Sequence, residues 1–136
     1  MTPSADNRLS PPGLKLAKIW YLLGALMLLI VGTVSLVPAP DIGVSDKLSH
    51  LVTYFFLAGW FSLLATNRAS LGWTIIGLVA YGILLELLQG MTVYRYAEWG
   101  DVLANTSGTM AGILLYFSPL PRLLRFVDSK LALLWF

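Results

Sequence analysis

Acid, base, cation and amide side chains recur in this 136-residue chain at spacings that bring them together. Asp46 and His50 are four residues apart, about 40° around a helix at ~100° per residue, with Lys47 and Tyr54 flanking the same side. Glu86 and Gln89 are three apart and Asp101 and Asn105 four apart; Arg95 and Glu98 lie between these pairs, among Tyr94, Tyr96 and Trp99. Glu86 and His50 are the candidate general base and acid, with Asp46 orienting the imidazole. Lys47 and Arg95 suit an anionic group, and Gln89 and Asn105 offer amide hydrogen bonds. Lys47, Tyr54, Gln89, Arg95, Asp101 and Asn105 are accordingly the candidate ligand-binding residues. A nucleophile is missing: the chain has no cysteine and no Gly-x-Ser-x-Gly, and Ser49 faces about 100° away from His50. His50, Glu86, Asp101 and Asp46 are enough donors for a metal, yet one histidine without a helical His partner makes a poor zinc site, so no metal and no cofactor are expected.

The elements that must position these groups follow from composition. The chain is 57% hydrophobic and 12% charged, where a soluble domain carries about 25% charge. A span needs about 20 residues of helix, so four fit this length and six do not. The expected fold is an all-α membrane protein, a four-transmembrane-helix bundle with spans at 19–37, 48–65, 71–88 and 102–117. Lys15, Lys18, Trp20 and Tyr21 lead into the first span and Pro38 and Pro40 close it. A signal peptide is the competing interpretation of that first run, but the run exceeds the ~7–15 residues of a signal core and further apolar runs follow. Residues 1–18 read as a cytoplasmic lead and residues 119–136 as a cytoplasmic amphipathic helix, with Arg122, Arg125, Asp128 and Lys130 interleaved with Leu123, Leu124, Phe126 and Val127. Arg8, Lys15, Lys18, Arg68, Arg122, Arg125 and Lys130, of nine basic residues in all, fall on one side of this topology, so both termini are expected to be cytoplasmic. A net charge of +2 gives no footing for nucleic acid.

On that topology the scarce polar residues share one depth, the outer ends of spans two to four. Gly108 and Gly112 fall within about 20° of the Asp101 face, a small-residue stripe that suits close helix packing and turns Asp101 and Asn105 into the bundle. Simpler roles exist for several of these groups. Asp46 and Lys47 suit the water boundary, Asp101 suits the N-cap of span four, and Asn105 and Gln89 suit interhelical hydrogen bonds. An ionisable group inside a span costs at least ~2.5–3.5 kcal/mol unless paired or hydrated, so Glu86 is expected to pair with Arg95, Lys47 or His50.

Two segments resemble the VanZ-like family of small bacterial membrane proteins. One is Asp46-Lys47-Leu48-Ser49-His50 with Tyr54-Phe55 and Trp60-Phe61 beyond. The other is Glu86-Leu87-Leu88-Gln89, then Tyr94-Arg95-Tyr96-Ala97-Glu98-Trp99-Gly100-Asp101 through Asn105, Gly108 and Gly112. The resemblance implies a multi-pass protein of the bacterial inner membrane; the founding member is associated with teicoplanin resistance, a phenotype that shared motifs do not carry over. The expected function is recognition of a cell-envelope component by the outward cluster: a lipid headgroup, a lipid-linked wall precursor or a glycopeptide-type ligand. The alternatives are an integral-membrane enzyme using Glu86 and His50 on a lipid-linked substrate, a purely structural network in a partner-binding membrane subunit, and a proton-coupled transporter component. The expected partners are the lipid bilayer, with a lipid-linked envelope precursor or a membrane protein, and no nucleic acid.

Overall fold

The computed structural model describes residues 13–38 and 40–135. Most of the expected N-terminal lead, residues 1–12, lies outside them. The described residues form five α-helices and no strand: α1 (Ala17–Leu36), α2 (Asp46–Leu64), α3 (Arg68–Gly90), α4 (Trp99–Ile113) continued by a 3-10 turn (Leu114–Phe117), and α5 (Leu120–Trp135). Each of the four expected spans coincides with a helical segment. Two helices, α1 and α3, are long and apolar enough to cross a membrane. A third span results if residues 99–117 and α5 count as one broken span, although the two pieces meet at 68°. α2 falls short of that apolarity because its first turns carry Asp46, Lys47, Ser49 and His50.

Local sequence explains where the helices begin and end. α1 stops before Pro38, and α3 starts where the Asn67 side chain accepts from the Ser70 amide at 2.9 Å. Asp101 does not cap α4, contrary to expectation. Glu98 occupies the cap position, its carbonyl accepting the Asp101 amide at 3.0 Å, so Asp101 sits one turn inside with its carboxylate free to face α2.

The densest packing is between α2 and α4, and glycine makes it possible. A Cβ on Gly108 would stand 2.2 Å from the Leu51 carbonyl oxygen, and one on Gly112 would stand 2.4 Å from that of Phe55. These are backbone atoms, which no rotamer change can move aside. The helices therefore meet main chain to main chain, as the expected small-residue stripe requires. Ser62 Oγ donates to the Gly59 carbonyl of its own helix at 2.7 Å and reaches the Gly112 carbonyl of α4 at 3.4 Å, and Leu57, Ala58 and Thr109 are fully buried alongside.

α1 is peripheral, with Gly24 its one buried residue. Side chains of α2, α3 and the connection after α3 hold it by donating to its backbone: Trp60 Nε1 to the Trp20 carbonyl at 3.2 Å, Gln89 Nε2 to Ser35 at 2.8 Å, and the Tyr81 and Tyr94 hydroxyls to Leu28 and Leu36. Its N-terminus is secured from the far end of the chain. Asp128 on α5, 2% exposed, accepts from the Lys15 amide at 2.7 Å, the Leu16 amide at 2.9 Å and Trp20 Nε1 at 2.8 Å. Leu16 has no capping side chain of its own, so this carboxylate meets donors that the helix leaves open. Burial pushes the Asp128 carboxyl up, but the Trp20 and backbone donors outweigh it and hold it below the ordinary value of 3.8. A lowered pKa means the contribution is complete at neutral pH and is lost only as the pH falls through the folded-state value.

Two outcomes follow. Gly108→Leu is expected to destabilise the protein by about 3 kcal/mol or more, whereas Gly77→Ala, with nothing within 4 Å of the new Cβ, is expected to stay within about 1 kcal/mol of the parent. Reversible unfolding in mixed micelles followed by circular dichroism checks the pair, and equal effects would remove the backbone contact as the cause. Asp128→Ala is expected to release α5, seen at pH 7.5 to 8 as several-fold faster trypsin cleavage after Arg122 and Arg125; an unchanged rate would mean that other contacts hold α5.

Candidate functional site

The start of α2, the end of α3, the connection after it and the start of α4 converge at one end of the bundle. Helical spacing sets Asp46, His50 and Tyr54 on one side of α2, and the Gly108 contact turns Asp101 and Asn105 of α4 toward them.

Charge pairing crosses between these elements. Lys47 Nζ bonds Glu98 Oε2 at 2.7 Å and Asp101 Oδ1 at 3.2 Å. Gly100 lets the lysine stem lie across the start of α4, since a Cβ there would meet Lys47 Cε at 2.6 Å. Arg95 Nη2 reaches both oxygens of Asp46, at 3.0 and 2.9 Å.

His50 is the centre of the cluster. Its Nδ1 lies 2.9 Å from Asn105 Oδ1, and its Nε2 lies 3.6 Å from both Asp46 Oδ2 and Asp101 Oδ2. The first is a hydrogen bond and the other two are too long to be. With Nδ1 donating to the amide oxygen, Nε2 presents its lone pair between two carboxylates. Asp46, His50 and Asp101 each place one ligand atom within 4.8 Å of the others. Asp101 is 2% exposed and Asn105 3%, so α4 contributes the interior half of this group, while Asp46 remains open to solvent.

Glu86 corrects an expectation. It pairs with none of Arg95, Lys47 or His50. Its Oε1 accepts the Glu98 amide at 2.6 Å, and its buried Oε2 has no partner. It lines a separate small cavity of about 150 Å³ with Ile83, Leu87 and Trp99. The expected pairing of Glu86 with His50 as base and acid is therefore not formed; the carboxylates that face the imidazole are Asp46 and Asp101. Gln89, expected among the ligand-binding residues, spends its amide nitrogen on the α1 carbonyl described above.

A cavity of about 430 Å³ opens beside the cluster. Asp46, His50, Tyr54, Gln89 and Arg95 line its polar side; Val31, Val34, Ile42 and Val44, from α1 and the connection after it, line the other. These four apolar residues were not singled out in the sequence, because an aliphatic run carries no mark of which residues face a cavity. Gly100 and Gly82 were likewise missed as site-builders, and Glu98, placed between the paired groups, was given no role of its own. A Cβ on Gly82 would stand 3.1 Å from Asn105 Nδ2 and 3.2 Å from the Tyr54 hydroxyl, so this glycine admits both groups against α3. A second cavity of about 440 Å³, lined by Tyr21, Phe61, Trp73 and Leu78 among others, has no carboxylate, imidazole or cation in its wall and offers no comparable chemistry.

A family model described as VanZ/LLP1 matches residues 23–125. No curated protein and no solved structure gives a significant match. The matched range takes in α2, α3, α4 and every residue of the cluster from Asp46 to Asn105, and the chain belongs to the VanZ/LLP1 family.

Proposed function

We propose that this chain is a four-span protein of the bacterial inner membrane whose polar cluster faces outward and recognises an anionic envelope component, a lipid headgroup or lipid-linked wall precursor. The spans are α1, α2, α3, and α4 with its 3-10 turn. At about 1.5 Å per residue, helices of 19 to 23 residues match a hydrocarbon core of about 30 Å. Four antiparallel spans return both termini to one side, and the excess of Lys and Arg on that side favours the cytoplasm. α5 then lies along the inner surface, its exposed Leu123, Phe126 and Leu133 turned to lipid.

The observation that carries the recognition reading is the two-sided wall of the 430 Å³ cavity. Arg95, His50 and Tyr54 on one side suit a charged, hydrogen-bonding headgroup; the valines of α1 on the other suit the start of an acyl or prenyl chain. Arg95 already compensates Asp46, so an arriving anion shares a guanidinium that stays neutralised in its absence. The group is not a closed structural network, because the Tyr54 hydroxyl has no partner and His50 Nε2 has no hydrogen bond.

Protein in neutral-lipid nanodiscs is expected to bind a lipid-linked wall precursor or phosphatidylglycerol saturably. Arg95→Ala is expected to weaken that binding about tenfold or more, as loss of a charge-assisted hydrogen bond implies. Tyr54→Phe is expected to weaken it less. Helical content by circular dichroism serves as the folding control. Binding that never saturates, or that Arg95→Ala leaves untouched, would overturn the proposal.

A further inference from the structure

The geometry points to a divalent transition-metal site, for manganese or zinc, formed by His50 Nε2, Asp46 Oδ2 and Asp101 Oδ2. This inference goes beyond headgroup recognition and stands without it.

The first ground is distance. Nε2 lies 3.6 Å from each carboxylate oxygen, too far for the hydrogen bonds that would close the group on itself. Donors about 2.0–2.2 Å from a tetrahedral ion are about 3.4 Å apart. Nε2 thus stands from each carboxylate close to the separation that a shared cation imposes, and the two carboxylates lie within 4.8 Å of one another. A proton on Nε2 would make two ion pairs at 3.6 Å but no hydrogen bond to either carboxylate.

The second ground is orientation. Asn105 Oδ1, 2.9 Å from Nδ1, is the kind of outer carbonyl that fixes a metal-bound imidazole and leaves Nε2 as the donor. Asp101 is divided in the same sense: Lys47 holds Oδ1 at 3.2 Å, and Oδ2 is the oxygen turned to the histidine. With neutral His50, the acids Asp46, Asp101 and Glu98 exceed Lys47 and Arg95 by one negative charge, which a cation offsets.

The third ground is independent of the acids. Tyr54 is 2% exposed, its hydroxyl has no partner, and it lines the same cavity as Asp46 and His50. A buried hydroxyl without a partner is costly. The hydroxyl stands against Gly82 beside Asn105 Nδ2, the amide whose oxygen orients His50, so this part of the group keeps hydrogen-bonding capacity unspent. Three protein ligands leave positions open toward the cavity, and one imidazole with two carboxylates suits manganese or zinc while excluding the thiolate-seeking ions. No metal was expected because the chain offers one histidine; the structure keeps three of the four donors then counted, Asp46, His50 and Asp101, in one group and sets Glu86 apart from them.

The test uses the full chain in nanodiscs, stripped with chelator and given Mn²⁺ alone, then Zn²⁺ alone. One ion per chain is expected by equilibrium dialysis. Pulsed electron paramagnetic resonance of the Mn²⁺ form is expected to show nitrogen modulation from a single imidazole. His50→Gln and Asp101→Asn are each expected to weaken binding at least about tenfold, while Asp41→Asn, on the exposed connection after α1, leaves it unchanged. Absence of nitrogen modulation in the parent protein would overturn the site even if the variants failed to fold. So would a folded His50→Gln variant that binds as tightly as the parent, which would mark the binding as adventitious carboxylate capture.

Discussion

The contact between α2 and α4 through Gly108 and Gly112 is the constraint on which the rest depends. Lipid tails are as apolar as leucine side chains, so helices in a bilayer gain little by hiding apolar surface from it; close packing has to supply the attraction. Two glycines facing the Leu51 and Phe55 carbonyls let the main chains touch. That contact allows one register, because any slide along the axis drives a side chain into a carbonyl oxygen. The register then decides the chemistry. It brings Asp101 and Asn105, two turns and one turn above the glycines, against Lys47 and His50.

The connection between α3 and α4 shows how the remaining charges are disposed. Its residues are tied in turn to different helices: Tyr94 to the end of α1, Arg95 to Asp46 on α2, and Glu98 to Lys47 on α2 through its side chain and to Glu86 on α3 through its amide. A segment between two helices thus becomes a clasp over the end of the bundle. Exposed ion pairs of this kind contribute little singly. Distributed over three helices, they set where Asp46 and Asp101 stand relative to His50.

Much of this was legible in the residues. Apolar runs and prolines placed each helix to within a few positions, and spacing alone put Asp46 with His50, Asp101 with Asn105, and Gly108 with Gly112 on common faces. Periodicity stops at the single helix, however. It gives the face and the depth of a group but not its partner across the bundle. For that reason Glu86 was matched with cations and not with the Glu98 amide, and Asp101 was taken for a cap although Glu98 holds that position. The Asp128 anchor on α1 was illegible for a related reason: one carboxylate in an amphipathic helix looks like any solvated acid until its distant donors are seen.

The manner in which α1 is held has its own consequence. The Trp60, Tyr81, Gln89 and Tyr94 side chains all address main-chain oxygens of α1, and Asp128 addresses main-chain nitrogens and one indole. Main-chain atoms are the same whatever residue bears them. The bundle therefore holds α1 largely by its main chain, with Gly24, Gly32 and the Trp20 indole as the points where the residue itself matters. Its outward positions take no part in that grip, nor does Val34 on the cavity wall, whereas Val31 also packs against the core. One side of the cavity can thus vary at Val34 while the side bearing the charges stays fixed, so the space beside His50 and Arg95 can be reshaped without disturbing either.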